Sequence, residues 1–290
     1  MSASIEISVP SRVGVMGGGR MGGGIAHAFI LAGAYVVVVE RDVESAEAAK
    51  LRIEASIDAS VARGFNGDAA LLNQALTVAT DVGAFGACQL VVEAVPEILD
   101  LKLETLRAIE QQLPDFATLA SNTSSIPLAQ LAETLDRPEQ FIGLHFFNPV
   151  PASTLIEIVV HEQVSETLAE KARGWVRALD KTPITVSDSP GFASSRLGVA
   201  IALEAMRMVE EGVASTADID LAMELGYKHP SGPLKTTDIV GLDVRLGIAE
   251  QLERDLGPRF APPQLLRDMV AEGKLGRKSG QGFYDWTNGE

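Results

Sequence analysis

Apolar residues fall along this chain in two alternating rhythms. Short continuous runs at 13–16, 36–39, 90–95, 118–120, 141–144, 155–160 and 184–186 are mostly rich in β-branched residues and have the length of buried strands. Between them lie stretches with helical spacing: 20–31, a charged and alanine-rich segment over 43–63, 68–76, and 99–113, which Pro114 closes. This alternation predicts a doubly wound α/β domain with a mostly parallel sheet. The rhythm stops at Ser187-Asp188-Ser189-Pro190-Gly191, a polar stretch containing proline and glycine. Beyond it only helical patterns remain: 192–211, a helix capped by Ser215 and Asp218 that ends near Gly226, then 243–256 and 263–272. The expected organisation is an α/β domain over 1–188 and an all-α domain over 189–290.

Composition narrows the function classes. The chain carries 39 acidic against 24 basic residues, a net charge of −15, which argues against nucleic acid or an anionic membrane surface as partner. It leaves room for an anionic ligand held by clustered backbone donors. Cys88 is the single cysteine, so no intramolecular disulfide is possible. No apolar run reaches membrane-spanning length, and residues 1–10 lack the charge and apolar pattern of a leader, so a cytoplasmic protein is expected. No cluster of His, Cys, Asp and Glu has metal-site spacing, and no metal is implied.

The first apolar run ends in Gly17-Gly18-Gly19-Arg20-Met21-Gly22, a G-x-G-x-x-G pattern between a predicted strand and a predicted helix. Gly17 permits the tight turn, Gly19 lets backbone approach a pyrophosphate, and Gly22 lets helix and strand pack closely. The first turn of the helix, with Met21, turns its free N–H groups and positive dipole end towards the phosphates. Glu40 ends the next strand, where its carboxylate can accept from ribose hydroxyls and repel a 2′-phosphate. NAD is therefore expected over NADP. Arg41 beside it is the one feature that could accommodate a phosphate instead.

Three later segments carry polar residues at predicted strand ends: Val92-Glu93-Ala94-Val95-Pro96-Glu97, Ala120-Ser121-Asn122-Thr123-Ser124-Ser125 and Gly143-Leu144-His145-Phe146-Phe147-Asn148-Pro149. In a doubly wound fold these ends line one crevice. Oxidising a hydroxyl by hydride transfer requires a base for its proton, a role suited to histidine. A carboxylate on the far ring nitrogen fixes the tautomer and stabilises the imidazolium. His145 and Glu97 fit these roles, and Ser124 could hold the substrate oxygen. Taken alone, such a histidine is more often a hydrogen-bonded interior residue and such a glutamate an exposed loop acid.

Taken with Pro190-Gly191-Phe192, His229-Pro230-Ser231-Gly232-Pro233, Asp238-Ile239-Val240-Gly241-Leu242-Asp243 and Gly276-Arg277-Lys278-Ser279-Gly280-Gln281-Gly282-Phe283-Tyr284, these segments resemble the 3-hydroxyacyl-CoA dehydrogenase family in order, from about Val13 to Tyr284. The resemblance implies an NAD-binding Rossmann domain followed by a helical domain that dimerises. It implies reversible interconversion of an L-3-hydroxyacyl-CoA and a 3-ketoacyl-CoA, with short-chain substrates such as 3-hydroxybutyryl-CoA in view. It also implies His145 as base, Glu97 as its partner, Ser124 at the reacting oxygen and Asn148 shaping the site behind His145. Where the family usually has a substrate-contacting asparagine, this chain has Ser195, which is shorter but still able to hydrogen-bond. By the same resemblance Ser56 and Arg63, about two helical turns apart on one face, flank the CoA nucleotide. An ordinary solvated helix face is the alternative for that pair. For the whole chain the alternatives are a dehydrogenase of a free hydroxy acid, of carnitine or gulonate type, and an NAD-binding structural protein without turnover.

Overall fold

The computed structural model describes residues 8–287, so most of the stretch read above as lacking a leader, residues 1–7, lies outside the described residues. The chain divides into two compact units, 1–188 and 189–290. In the first, strands β1 (Arg12–Met16), β2 (Tyr35–Val39), β3 (Leu76–Ala79), β4 (Leu90–Glu93), β5 (Thr118–Ser121), β6 (Phe141–Phe146), β7 (Leu155–Val160) and β8 (Thr182–Ser187) form one sheet in the order β3-β2-β1-β4-β5-β6-β7-β8. Pairing is parallel throughout except between β6 and β7, which run antiparallel. Helices α1 (Arg20–Leu31), α2 (Val43–Ala62), α3 (Ala69–Gln74), α4 (Leu99–Glu110), α5 (Leu128–Ala132) and α6 (Glu166–Ala178) connect them. This is a Rossmann-type sheet extended by two strands, β7 and β8, that run antiparallel to the rest.

Successive side chains of a strand point to opposite faces, and both faces here are buried. Leu90 and Val92 of β4 join Ile25, Phe29, Ile53 and Ile57 of α1 and α2 in one core, while Val91 between them is buried outside that cluster. A side chain on Gly14 of β1 would stand 2.6 Å from Phe85 and 2.7 Å from Val91, so glycine there admits a phenylalanine.

The element boundaries differ from expectation in two informative places. The helix expected over 68–76 ends at Gln74, and Leu76–Ala79 pairs with β2 as an edge strand. That strand is only half-buried, so it lacks the continuous apolar run that marks its neighbours. Strand β4 stops at Glu93, two residues short of the apolar run, because the Glu93 carboxylate accepts from the Val95 amide at 2.7 Å.

The second unit is helical: α7 (Ser194–Glu210), α8 (Thr216–Leu221), α9 (Pro233–Val240), α10 (Leu242–Leu256) and α11 (Gln264–Ala271). Val199, Leu203 and Met206 of α7 share a core with Leu234, Leu242, Ala249 and Leu252. The glycine-rich stretch before Tyr284 wraps a buried carboxylate. Asp238 accepts from the Phe283 and Tyr284 amides, both at 2.9 Å, and from Trp286 Nε1 at 2.8 Å. A side chain on Gly282 would stand 2.2 Å from Asp238 Oδ1, and one on Gly276 would stand 2.3 Å from its carbonyl oxygen. These two glycines are required by packing around Asp238.

Candidate active site

The C-terminal ends of β1, β2, β4, β5 and β6 lie along one edge of the parallel sheet, and the polar segments of the sequence follow them. At β1 the chain turns through Gly17, whose φ is +91°, with the Gly17 amide donating to the Val39 carbonyl at 2.8 Å. A side chain on Gly22 would stand 1.7 Å from the Gly17 carbonyl oxygen, so strand end and helix start meet at a spacing that excludes a Cβ. At Gly19, the N-cap of α1, a Cβ would meet nothing within 4 Å, which leaves open space beside the helix N-terminus. Met21 is half-buried and packs against the core. Glu40 directly follows β2, and its Oε1 accepts from the Gly18 amide at 2.7 Å. A glycine cradle with open space above Gly19 and an acid tied to its rim fits the pyrophosphate and ribose of NAD.

Strands β4 and β5 end in a buried charge network that the sequence patterns did not single out. Lys102 of α4 is 1% exposed, with Nζ 2.8 Å from Glu93 Oε1, 3.0 Å from Glu93 Oε2 and 3.2 Å from Glu97 Oε2. Ser121 donates to Glu93 Oε2 at 2.6 Å. Glu97, about one-third exposed, uses its other oxygen to hold the turn after β5. Oε1 accepts from Thr123 Oγ1 at 2.7 Å and from the Ser124 and Ser125 amides, both at 2.9 Å. Burial pushes the Glu97 carboxyl up, but Lys102, the Thr123 hydroxyl and the Ser124 amide outweigh it and hold it below the usual carboxylate range.

Strand β6 presents His145, which is 6% exposed. Its partner corrects the expectation from sequence: Nδ1 lies 2.7 Å from Glu157 Oε2, and Glu97 is instead committed to the Thr123–Ser125 turn and Lys102. The reason is register. In the antiparallel β6–β7 pair His145 stands directly opposite Glu157, which is 0% exposed. An ionised carboxylate only accepts, so the pair puts the ring proton on Nδ1. Phe147 packs against the imidazole with ring centroids 4.5 Å apart. Asn122 Oδ1 accepts from the Phe146 amide at 2.8 Å and ties the end of β5 to that of β6, beside His145.

The remaining predicted residues lie on other segments. Asn148 is exposed, three residues beyond His145. Ser56 donates to the Arg52 carbonyl at 2.8 Å, and Arg63, exposed at the C-cap of α2, reaches Ser60 Oγ at 3.4 Å. Ser195 is half-buried in the first turn of α7. Among the described residues no group of three or more His, Cys, Asp or Glu could hold a metal ion.

A glycine cradle, an acid at the end of β2 and a histidine–carboxylate pair on a neighbouring strand end define a nicotinamide-dependent dehydrogenase of the doubly wound class. Residues 12–189 match the 3-hydroxyacyl-CoA dehydrogenase NAD-binding domain and residues 191–286 its C-terminal domain. The chain belongs to the 3-hydroxyacyl-CoA dehydrogenase family and is an NAD-dependent oxidoreductase. It is 42% identical over 278 residues to a probable 3-hydroxybutyryl-CoA dehydrogenase of Deinococcus radiodurans, covering 95% of this chain and 100% of that one. It is 36% identical to the human mitochondrial hydroxyacyl-coenzyme A dehydrogenase, covering 98% of this chain and 94% of that one. Its fold resembles that of the (S)-3-hydroxybutyryl-CoA dehydrogenase of Ralstonia eutropha with a TM-score of 0.92 at 37% identity, covering 96% and 99% of the two chains.

Proposed function

We propose that this enzyme interconverts a short-chain L-3-hydroxyacyl-CoA, such as 3-hydroxybutyryl-CoA, and the 3-ketoacyl-CoA. The His145–Glu157 pair carries the reading, since among the described residues it is the one buried base with its carboxylate at a strand end of the sheet. NAD, when bound, supplies the hydride acceptor. As the hydride leaves C3, His145 Nε2 takes the proton of the hydroxyl, so that the C3–H and O–H bonds break and the carbonyl forms. Glu157 keeps Nδ1 protonated and balances the imidazolium charge. The Thr123–Ser125 turn, held by Glu97, presents Ser124 to the reacting oxygen. Asn148 shapes the site behind His145, Ser195 bonds the substrate oxygen, and Ser56 with Arg63 flanks the CoA nucleotide. Turnover of 3-ketoacyl-CoA thioesters of increasing length with NADH tests this reading. Efficiency highest at four carbons is expected, and turnover confined to free hydroxy acids would overturn it.

NAD(H) is expected to be preferred. Glu40 sits on the rim of the glycine cradle, and the guanidinium of Arg41 is drawn to Asp42 at 3.0 Å. Glu40→Ser should narrow the NADH-to-NADPH ratio of kcat/KM. An NADPH efficiency equal to that of NADH in the unmodified enzyme would contradict the assignment.

The reading also includes a cytoplasmic homodimer acting in fatty acid metabolism. The apolar positions of α7 divide: Val199, Leu203 and Met206 are buried, whereas Leu197 is 63% and Ile201 36% exposed. Ile239, Val240 and Val244 of α9 and α10 are exposed as well. Apolar surface of this kind favours a second copy as cover. Light scattering should give twice the chain mass of 30.7 kDa, and a monomer mass at working concentration would refute the dimer.

A further inference from the structure

The segment that follows β6 touches the base yet has little of its own to hold it still. Residues 147–154 lie outside helix and strand, and Asn148, Pro149, Pro151, Ala152 and Thr154 are exposed. The Ala152 and Ser153 amides both donate to the Pro149 carbonyl, which closes a local turn without tying it to the sheet. Its first residue, Phe147, is the one packed on the imidazole of His145. Two anchors fix the turn from outside. One is Val150, which is 2% exposed and shares a core with Ile25 and Phe29 of α1. A Cβ on Gly24 would stand 2.9 Å from Val150 Cβ, so glycine in α1 admits this side chain. The other is Lys181, whose Nζ donates to the Val150 carbonyl at 2.8 Å and also to the Ser153 carbonyl. A single ammonium thus clamps both sides of the turn.

Register puts Lys181 there. Leu155 pairs with Thr182 where β7 and β8 begin, and the Thr182 amide donates to the Thr154 carbonyl at 2.6 Å. Lys181 therefore stands beside the turn, one residue before its own strand. Asp180, at φ +57°, bends the chain between α6 and β8 to bring it there. Lysine ordinarily keeps its ammonium in water. Here the group is half-buried, and burial pushes its pKa down. A cation turned inward onto two carbonyls gives up solvation, and the carbonyls it holds are those of the segment against His145.

We infer that Lys181 is a positioning residue for the oxidoreduction: by clamping the 147–153 segment it keeps Phe147 on the imidazole and so fixes the direction in which Nε2 meets the substrate hydroxyl. The bond from Nδ1 to Glu157 holds one edge of the ring, and Phe147 holds its plane. The inference rests on His145 as the base.

Reduction of a four-carbon 3-ketoacyl-CoA by NADH is the assay. Lys181→Met should lower kcat by about tenfold to a hundredfold, the scale of a displacement of about 1 Å at a reacting group. Affinity for NADH should stay near normal, since the glycine cradle and Glu40 are held by their own bonds. Lys181→Arg, which keeps donors for both carbonyls, should retain part of the activity. Lys181→Cys should lose as much as Lys181→Met. Alkylating the new thiol with 2-bromoethylamine forms a C–S bond, releases bromide and rebuilds an ammonium at the length of lysine. Most of the lost kcat should then return, whereas iodoacetamide should restore none. The position is open to reagent because Lys181 lines a cavity of about 400 Å³ with His27, Arg63 and Phe65. Cys88 is 0% exposed and burial pushes its thiol up to about 11, so it stays unmodified. Phe147→Leu should also lower kcat, and combined with Lys181→Met it should cost less than the product of the two losses. Near-normal kcat in Lys181→Met would overturn the inference. So would a full product of losses, or no recovery once mass spectrometry shows the aminoethyl group in place. If the lysine variants do not fold, Phe147→Leu decides. Near-normal kcat there would overturn the inference, because the path from Lys181 to the imidazole runs through that ring. Near-normal turnover of His145→Ala would sink the reading of the base and this inference with it, whereas an inert Lys181 would leave that reading standing.

Discussion

Replacing His145 with alanine is expected to lower turnover by about two to four orders of magnitude, the usual contribution of a general base, while NADH binding stays intact. The glycine cradle and Glu40 belong to other strand ends and do not depend on the imidazole. Glu157→Gln should be the next most damaging change, because an amide has no negative charge to stabilise the imidazolium and can present a donor to Nδ1. Combined with His145→Ala it should add little, since both residues serve one proton transfer. Glu97→Gln should behave differently. It disturbs the Thr123–Ser125 turn rather than the ring, so its effect should combine nearly additively with that of Glu157→Gln. Near-normal turnover of His145→Ala would remove the mechanism. A large loss in Glu97→Gln that adds nothing to His145→Ala, with near-normal turnover of Glu157→Gln, would restore Glu97 as the partner.

Lys102→Met should destabilise the first unit by about 3–5 kcal/mol, the loss observed when one member of a buried ion pair is removed. The corresponding fall in Tm is on the order of 10 °C. Glu93 is 0% exposed and would keep Ser121 and the Val95 amide but lose its cation. Adding Glu93→Gln to Lys102→Met should recover part of the loss, since no uncompensated charge then remains. The pH dependence carries a sign. The Glu97 carboxyl is held below its ordinary value, so its contribution to stability is fully present above the unfolded value of about 4.3 and is lost as pH falls through the folded one. Lys102 is the strongest influence lowering it, so the deficit of Lys102→Met should be widest near neutral pH and narrow in acid. Urea midpoints measured across that range check both statements. A loss below about 1 kcal/mol, the level of an exposed pair, would mean that water reaches Glu93. Turnover should fall with Lys102→Met as well, because the turn carrying Ser124 hangs on Glu97 and Glu97 leans on Lys102.

Much of this molecule was written locally. The glycine cradle was legible because strand, turn and helix are consecutive, and its spacing follows from how closely a backbone can pass: 1.7 Å from a Cβ on Gly22 to the Gly17 carbonyl leaves only glycine. The doubly wound sheet was legible because strands buried on both faces must be continuously apolar. The half-buried strand Leu76–Ala79 escaped for the converse reason. The place of His145 at a strand end was also legible, since its residue type and strand are both visible in the chain. Its partner was not, because register between β6 and β7 decides which carboxylate faces the ring. The signal was present in Leu155-Ile156-Glu157-Ile158-Val159-Val160, where one acid interrupts an otherwise apolar strand and must find a partner once buried. Lys102 and Arg245 are of the same kind, charges on helices whose burial no local pattern announces. Periodicity and turn chemistry act between residues close in sequence, so the sequence alone determined the elements and the cofactor loop. Which buried charges meet depends on contacts between distant segments, and only the tertiary structure decided it.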